Sequence, residues 1–351
     1  MLHGVSGGKG SLSSLSRAIP LGIPVMSQAT SPALRVHHYG GPDVLQFETV
    51  EVGKPGPGQV RLSQKAIGVN FIDIYQRTGL YKLPALPAVL GLEGAGVIIE
   101  TGSGVTTLKP GDRVAYAGCA GAYAQERLAP ADRLVKLPDA ISFEKAAAMM
   151  LQGMTVRYLL RETYPVTSET VMLFHAAAGG VGLIACQWAR ALGATIIGTV
   201  SADEKAKIAR DHGCTHVINT KTEDFVARVK VITGGRGCDV VYDSIGKDTF
   251  AGSLECLKPK GLWVSFGNAS GPVPPFDLSQ LKGTLFATRP SLFAYTQKAD
   301  DLAANSAELF SMVTSGKITI AVNHSYPLAH GADAHRDLEG RKTTGSIILI
   351  P

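Results

Sequence analysis

The stretch LFHAAAGGVGLIACQWARALGATIIGTVSADEK, Leu173–Lys205, decides the fold. It begins within a short apolar run, Thr170–His175, and passes through small residues. An amphipathic segment follows, Gly180–Leu192, and then a second β-rich run, Ala194–Val200. The order predicts strand, tight turn, helix and strand, the setting in which a glycine-rich turn holds a dinucleotide. Against G-x-G-x-x-G the chain reads Ala177-x-Gly179-x-x-Gly182, with alanine in the first place. Gly179 lets backbone approach a pyrophosphate and Gly182 lets the helix pack closely. The first amides of that helix, at the positive end of its dipole, face the phosphates. A glycine turn in an α/β protein that binds no nucleotide is the alternative reading, and the fit of the flanking segments speaks against it.

The end of the second strand bears on which dinucleotide binds. An acid there accepts hydrogen bonds from a ribose 2′-hydroxyl, whereas cations suit a 2′-phosphate. Thr199, Val200 and Ser201 occupy that end. Asp203 and Glu204 follow, and Ser201-x-x-Glu204 has the form of a capping box that opens the next helix. Lys205 then falls in the first helical turn, where the dipole disfavours a cation unless an anion lies beside it. NADPH is therefore expected in preference to NADH. A solvated surface lysine is the plainer reading of Lys205 alone.

The chain has 351 residues, enough for two domains of ordinary size. Its composition is globular, 45% hydrophobic and 18% charged, and its net charge of +5 is dispersed without basic blocks. Nothing marks a dedicated nucleic-acid surface, and no apolar run reaches membrane-spanning length. Five cysteines, Cys119, Cys186, Cys214, Cys238 and Cys256, are scattered with no C-x-x-C pair. That usage suits a reducing compartment, and a cytoplasmic location is expected. Residues 1–33 are rich in Ser, Gly and Pro and hold Lys9 and Arg17 but no acid. They are expected to form a disordered extension, with Met26 as a plausible start. The alternative is a mitochondrial transit peptide.

Beyond the fingerprint the alternation continues. Helices are expected over Ala202–His212, Thr222–Ile232 and Asp248–Leu257, and strands over His216–Asn219, Cys238–Asp243 and Leu262–Phe266. This predicts a doubly wound parallel sheet. Upstream, Leu34–Leu137 has short β-like runs broken by GGPD, GKPGPGQ, TGSG and KPGDR, the texture of a mostly antiparallel, partly barrel-like domain. A helical tail, Ala294–Ser315, precedes the strand-like ITIAVNHSYPL and GSIILIP, so the C-terminus is expected to complete the first domain. In KGTLFATRPSL, Lys282–Leu292, the portion TLFA suits an exposed edge strand, and such an edge invites pairing with a second chain. A homodimer is expected, with Leu285 as the residue whose replacement would break it.

GGPDVL (40–45), GVNFIDIYQRTGLY (68–81), GLEGAG (91–96), KPGDRVAY (109–116), HAAAGGVGLIACQWA (175–189), VVYDSIG (240–246) and SFGNASG (265–271) carry a resemblance. From Leu34 to Pro351 the chain resembles the medium-chain dehydrogenase/reductase superfamily and, within it, the zinc-free quinone oxidoreductases related to zeta-crystallin. The resemblance implies a Rossmann NADP-binding domain over 153–286. It also implies a GroES-like, mostly β catalytic domain over 34–152 and 287–351. Zinc enzymes of the superfamily have a cysteine near Asn70 and His-Glu where this chain has Leu92-Glu93. Leucine cannot ligate a metal and catalytic zinc needs three protein ligands, so no zinc is expected.

The resemblance places Asn70 and Tyr75 beside the nicotinamide and the acceptor, with Tyr81 in the pocket lining. It places Thr155 near the nicotinamide, Gly179, Gly180 and Val181 in the pyrophosphate turn, and Ser244, Phe266 and Gly267 along the cofactor. Lys205, Ser201 and Arg341 fall at the 2′-phosphate and adenosine side. Thr220 stands on that side where several relatives have tyrosine, so an aromatic contact is lost. The implied function is NADPH-dependent reduction of quinones. The alternatives are reduction of an activated C=C bond in 2-alkenals or enoyl compounds and, in another class, an NADPH-holding crystallin-like or RNA-binding protein with little turnover.

Overall fold

The structure, a computed structural model, describes Gly7 and residues 29–351. The expectations for the leader, its basic residues and a start at Met26 lie outside those residues. The described chain opens with β1 (Thr30–Val36), β2 (Leu45–Glu51), β3 (Gln59–Val69), α1 (Phe71–Thr78), β4 (Ala88–Val89) and β5 (Glu93–Thr101). The next strands are β6 (Arg113–Ala117), β7 (Glu126–Pro130) and β8 (Val135–Lys136), followed by α2 (Phe143–Ala147) and α3 (Met150–Tyr158). The alternating part runs β9 (Val171–Phe174), α4 (Gly180–Ala191), β10 (Thr195–Val200), α5 (Asp203–Asp211), β11 (His216–Asn219) and α6 (Phe225–Ile232). It continues through β12 (Cys238–Asp243), α7 (Phe250–Glu255), β13 (Leu257–Ser265) and β14 (Phe286–Thr288). The chain ends with α8 (Leu292–Tyr295), α9 (Ala299–Thr314), β15 (Val322–Pro327), α10 (Gly331–Glu339) and β16 (Ser346–Ile350).

The alternating segments make one six-stranded sheet in the order β11-β10-β9-β12-β13-β14, every neighbouring pair parallel. The order reverses direction between β9 and β12, the kind of point where open parallel sheets take ligands. The β-rich segments form a second sheet, β15-β16-β3-β5-β6-β8, with β7 also on β3, and a smaller one, β2-β1-β4. Strand β16 pairs antiparallel with β3, so the C-terminus joins the first half of the chain. Strand β14 crosses the 286/287 boundary expected between domains, and β1 includes four residues of the segment expected to be disordered.

One apolar cluster runs from Ala66 and Ala95 through Met149 and Met154 to Ile184 and Trp188, a seam in which α3 joins the two sheets. Trp188 is 1% exposed, and fully burying a large apolar side chain contributes about 1.5–3 kcal/mol. The departure at Ala177 has a simple packing reason. A Cβ on Gly198 of β10 would lie 2.6 Å from the Ala177 methyl, so the glycine in the neighbouring strand leaves room for it.

Several local expectations are corrected. Helix α5 begins at Asp203 with Ala202 as its N-cap and no side-chain cap, so Ser201 and Glu204 form no capping box. Asp203 instead accepts a hydrogen bond from Asn219 Nδ2 at 2.8 Å, tying the ends of β10 and β11 together. Helix α6 begins at Phe225 because Asp224 caps the amides of Val226 and Ala227. The helical tail breaks into α8 and α9. Strand β14 lies at the sheet edge; Leu285, the residue before it, packs partly buried against the core formed around Leu173 and Ile197, while Phe286 is 57% exposed. Phe286, not Leu285, is the apolar side chain that the edge presents.

Candidate active site

A cleft of about 710 Å³ lies beyond the C-terminal ends of β9, β10, β12 and β13 and is walled on its other side by α1, α3 and the 289–293 segment. All the residues singled out from the sequence line it: Asn70, Tyr75, Tyr81, Thr155, Gly179, Gly180, Val181, Ser201, Lys205, Thr220, Ser244, Phe266, Gly267 and Arg341. They come from segments far apart in the chain and form three groups, one at the turn and one on either side of it.

The turn after β9 is held by Ala177 N donating to Thr199 O at 2.9 Å and Gly179 N donating to Ala176 O at 2.9 Å. Ala176 takes a left-handed φ of 55°. Gly179 is the N-cap of α4, and Leu183 N is the first amide to reach back to it, at 2.9 Å. The amides of Gly180, Val181 and Gly182 therefore have no partner one turn earlier in the helix. A Cβ on Gly182 would collide with the Ala176 carbonyl, so this glycine is required for α4 to pack on the turn. A Cβ on Gly179 would meet only Ala176 O, at 3.3 Å. The surface above Gly179 is therefore shaped for a ligand and not for a neighbouring side chain.

At the end of β10 no acid faces the cleft, because Asp203 is engaged with Asn219. Lys205 lines the cleft with its Nζ donating to the carbonyls of Arg341 at 2.6 Å and Thr343 at 3.2 Å. Burial pushes its ammonium below the usual lysine range, the response of a cation that lacks a fully compensating anion. Arg341, at a left-handed φ of 55°, stands beside it on the rim. Thr220 closes this end by donating its hydroxyl to Val200 O at 3.1 Å. Asp248 also lines the cleft, 3.9 Å from Arg341; with no acid at the strand end and two cations against that one carboxylate, this end fits a 2′-phosphate.

The opposite end is built by α1. Asn70 N donates to Asp73 Oδ2 at 2.8 Å, and Gly79 closes the helix in the left-handed region at φ 79°, with Tyr39 packed where a side chain would be. Tyr75 projects into the cleft, its hydroxyl oxygen accepting from Asn268 N at 2.8 Å. Tyr81 lies edge-on to Tyr75, ring centroids 5.2 Å apart, and its hydroxyl accepts from Asn268 Nδ2 at 3.1 Å and Arg289 Nη2 at 2.8 Å. Burial pushes the Tyr75 hydroxyl well above the ordinary tyrosine range, so it keeps its proton near neutrality.

Sequence comparison assigns the family. The model for alcohol dehydrogenase GroES-like domains matches residues 56–139, and that for zinc-binding dehydrogenases matches residues 180–305. The chain is 52% identical to the quinone oxidoreductase of Pseudomonas aeruginosa, over 89% of this chain and 97% of that one. It superposes with a TM-score of 0.90 on the Escherichia coli quinone oxidoreductase crystallised with NADPH, at 50% identity, covering 92% of this chain and 100% of that one. It is also 47% identical to a Burkholderia 2-haloacrylate reductase, over 90% of this chain and 98% of the relative. The chain belongs to the quinone oxidoreductase family.

Within that family the metal question turns on Leu92 and Glu93. Among the described residues no three His, Cys, Asp or Glu side chains converge to hold a metal ion. Both Glu93 carboxylate oxygens are engaged, Oε2 by Asn70 Nδ2 and Oε1 by Leu151 N, each at 2.7 Å. His175 is likewise structural, bridging Thr199 Oγ1 and Ser253 Oγ at 3.0 Å each. Burial holds its imidazole below the usual histidine range.

The sequence reading passed over three residues. Arg289, inside the quoted KGTLFATRPSL, lines the acceptor end and reaches Ser265 Oγ at 3.2 Å as well as Tyr81. Gln152 donates to Asn70 Oδ1 at 3.1 Å and packs against Gly180. Asp243, in VVYDSIG, binds the amide of Ile245 and the hydroxyls of Thr249 and Ser253, which fixes the loop carrying Ser244. Only the LQGMTV context hinted at Gln152. Arg289 carried no local signal, since its partners Ser265 and Tyr81 lie on other segments; those three partners of Asp243 lie within ten residues of it, in the loop and helix that follow β12.

Proposed function

We propose that this chain reduces quinones with NADPH and without zinc; relatives of it are named quinone oxidoreductases, and one of them was crystallised with NADPH. The observation that carries the reading is one continuous cleft with a cationic end at Lys205 and Arg341, where no acid closes β10 and Asp248 is the one carboxylate in the lining, and a neutral amide–phenol end at Asn70, Tyr75 and Tyr81. NADPH, when bound, supplies a hydride to the acceptor. The chain's own work is positioning: Gly179–Gly182 cradles phosphate, Lys205 and Arg341 select the 2′-phosphate, and the tyrosine wall holds a flat acceptor near Asn70. A strongly electrophilic acceptor needs no Lewis acid, which agrees with Glu93 being engaged with Asn70. The deciding measurement is loss of NADPH absorbance with 1,4-benzoquinone, 9,10-phenanthrenequinone and a 2-alkenal. Turnover of the quinones with NADPH and much less with NADH is expected; no turnover of either quinone rejects the reading.

A second reading, reduction of an electron-poor C=C bond, is favoured by the 2-haloacrylate reductase relative and uses the same cleft. The buried Tyr75 hydroxyl separates the two. Tyr75→Phe is expected to lower quinone turnover only a few-fold and alkenal turnover more, since a positioned general acid contributes about 10²–10⁴-fold where the product carbon needs a proton. The substitution also removes the bond from the Asn268 amide to the Tyr75 hydroxyl, a loss of about 0.5–1.5 kcal/mol in denaturant unfolding. Abolition of quinone reduction with NADPH binding intact would make Tyr75 an indispensable proton donor and overturn the positioning account.

The assembly proposed is a homodimer joined along the β14 edge, where Phe286 is exposed. Phe286→Lys should give monomers in sedimentation velocity, because it places a charge on that edge without touching the core. Wild-type protein that sediments as a monomer at micromolar concentration removes the proposal. We place the domain divide near residue 152 and just after β14, and the enzyme in the cytoplasm. One observation supports that location: all five cysteines are buried free thiols, as a reducing compartment keeps them.

A further inference from the structure

Asn70 belongs to a buried hydrogen-bond chain that reaches three other elements. Its Nδ2 donates to Glu93 Oε2 at 2.7 Å, and its Oδ1 accepts from Gln152 Nε2 at 3.1 Å. Gln152 Oε1 accepts from Ser346 Oγ at 2.8 Å, and Glu93 Oε1 accepts from Leu151 N at 2.7 Å. Glu93 is 0% exposed, Ser346 2%, and Asn70 and Gln152 6% each. The chain thus links β5, the start of α1, α3 and β16, and Gln152 packs against Gly180 of the phosphate turn.

An amide donates at one end and accepts at the other, so the orientation of each member dictates the next. The Leu151 amide can only donate, which commits Glu93 Oε1 to accepting. Ser346 can do either, because its hydroxyl also lies 2.9 Å from Ala148 O. Only Glu93 Oε2 can therefore set the direction. As a carboxylate it accepts from Asn70 Nδ2. With a proton on Oε2 it donates instead, and Asn70 and Gln152 turn over together. Gln152 Nε2 then donates to Ser346 Oγ, whose hydroxyl donates to Ala148 O. Each of these side-chain links survives the reversal; the Asp73 amide gives up its capping contact with the Asn70 side chain but keeps its bond to Asn70 O at 3.0 Å.

We propose that Glu93 is a positioning residue that, through this chain, selects whether the second N–H of Asn70 lies on the Glu93 side or on the Gln152 side. The groups around Glu93 are Asp73 from α1 and Tyr123, with Arg77 and His335 behind Tyr123; α3 presents its Leu151 amide, and β3 presents Gly68, which leaves room for the carboxyl. Among the described residues no cation pairs with Glu93. Burial pushes its carboxyl up to about 8, with the charge of Asp73 adding to the effect, and burial pushes Asp73 itself up to about 7. The neutral, donating form of Glu93 therefore prevails below its midpoint and the carboxylate form above it. The kinetic consequence rests on the quinone reductase reading. A carboxylate behind Asn70 opposes negative charge building on an acceptor oxygen, so turnover should fall as pH rises through that midpoint.

The direct test follows the side-chain amide resonances of Asn70 and Gln152 in isotope-labelled wild-type protein, without cofactor, as pH is raised. The two should shift together with a single midpoint near 8. In Glu93→Gln, whose amide can only donate to Asn70 once its oxygen has accepted from Leu151, both should stay at the acid-side positions throughout. With 1,4-benzoquinone, wild-type kcat should fall about fivefold or more across that range, and Glu93→Gln should lose the fall. Wild-type resonances that fail to move together overturn the proposal, and this arm needs no variant to fold. Glu93→Gln resonances at the alkaline wild-type positions also overturn it. Coupled resonances in a protein with no quinone turnover uphold the positioning role and reject the proposed activity instead.

Discussion

Valine at Gly179 is expected to abolish NADPH binding and with it every reduction, while the protein still folds. Gly179 sits at φ −79°, ψ 171°, an extended conformation open to any residue, and its Cβ would meet only Ala176 O at 3.3 Å. The added methyls would occupy the space above the first amides of α4, where a pyrophosphate must lie. Charge-assisted hydrogen bonds contribute about 1.5–3 kcal/mol each, so losing two of them weakens binding by roughly a hundredfold or more. Gly182 would not give so clean a result, because its Cβ collides with backbone and misfolding would follow. The check is a fluorescence titration with NADPH beside a denaturant unfolding curve. A Gly179→Val protein that unfolds at the wild-type midpoint yet binds NADPH normally would take the turn out of the cofactor site.

Alanine at Lys205 is expected to weaken NADPH at least about tenfold, again from one charge-assisted contact of about 1.5–3 kcal/mol, and NADH far less. The structure adds a second, smaller effect. Lys205 Nζ also pins the carbonyls of Arg341 and Thr343, and the nearby Gly345 amide donates to Ala178 O beside the turn at 3.1 Å. Loosening that segment should cost NADH a few-fold as well. The ratio of the two dissociation constants is therefore the informative quantity. Equal losses for both cofactors would leave Lys205 only its loop-holding role.

Much of the fold was legible because periodicity and glycine placement are local. The strand at Cys238–Asp243 and the helix from Gly180 follow from residues a few positions apart, and the structure keeps both starts. Element ends were less legible where a side chain found a distant partner. Ser201 and Glu204 have the spacing of a capping box, yet Asn219 on another strand takes Asp203 and the helix starts two residues after Ser201. Leu285 and Phe286 are both apolar, and only the packing of the chain at the start of β14 decides that Leu285 meets the core and Phe286 faces solvent.

The site divides in the same way. By itself the sequence determined that a dinucleotide turn follows β9, that no acid closes β10 to claim a ribose, and that Leu92 removes a ligand from any zinc site. Each of these depends on which residue occupies a position. Only the tertiary structure decided that Asn70, Glu93, Gln152 and Ser346 form one hydrogen-bond chain and that Arg289 meets Tyr81. Hydrogen bonds act over about 3 Å between residues brought together by sheet pairing, and nothing in their spacing along the chain encodes that meeting.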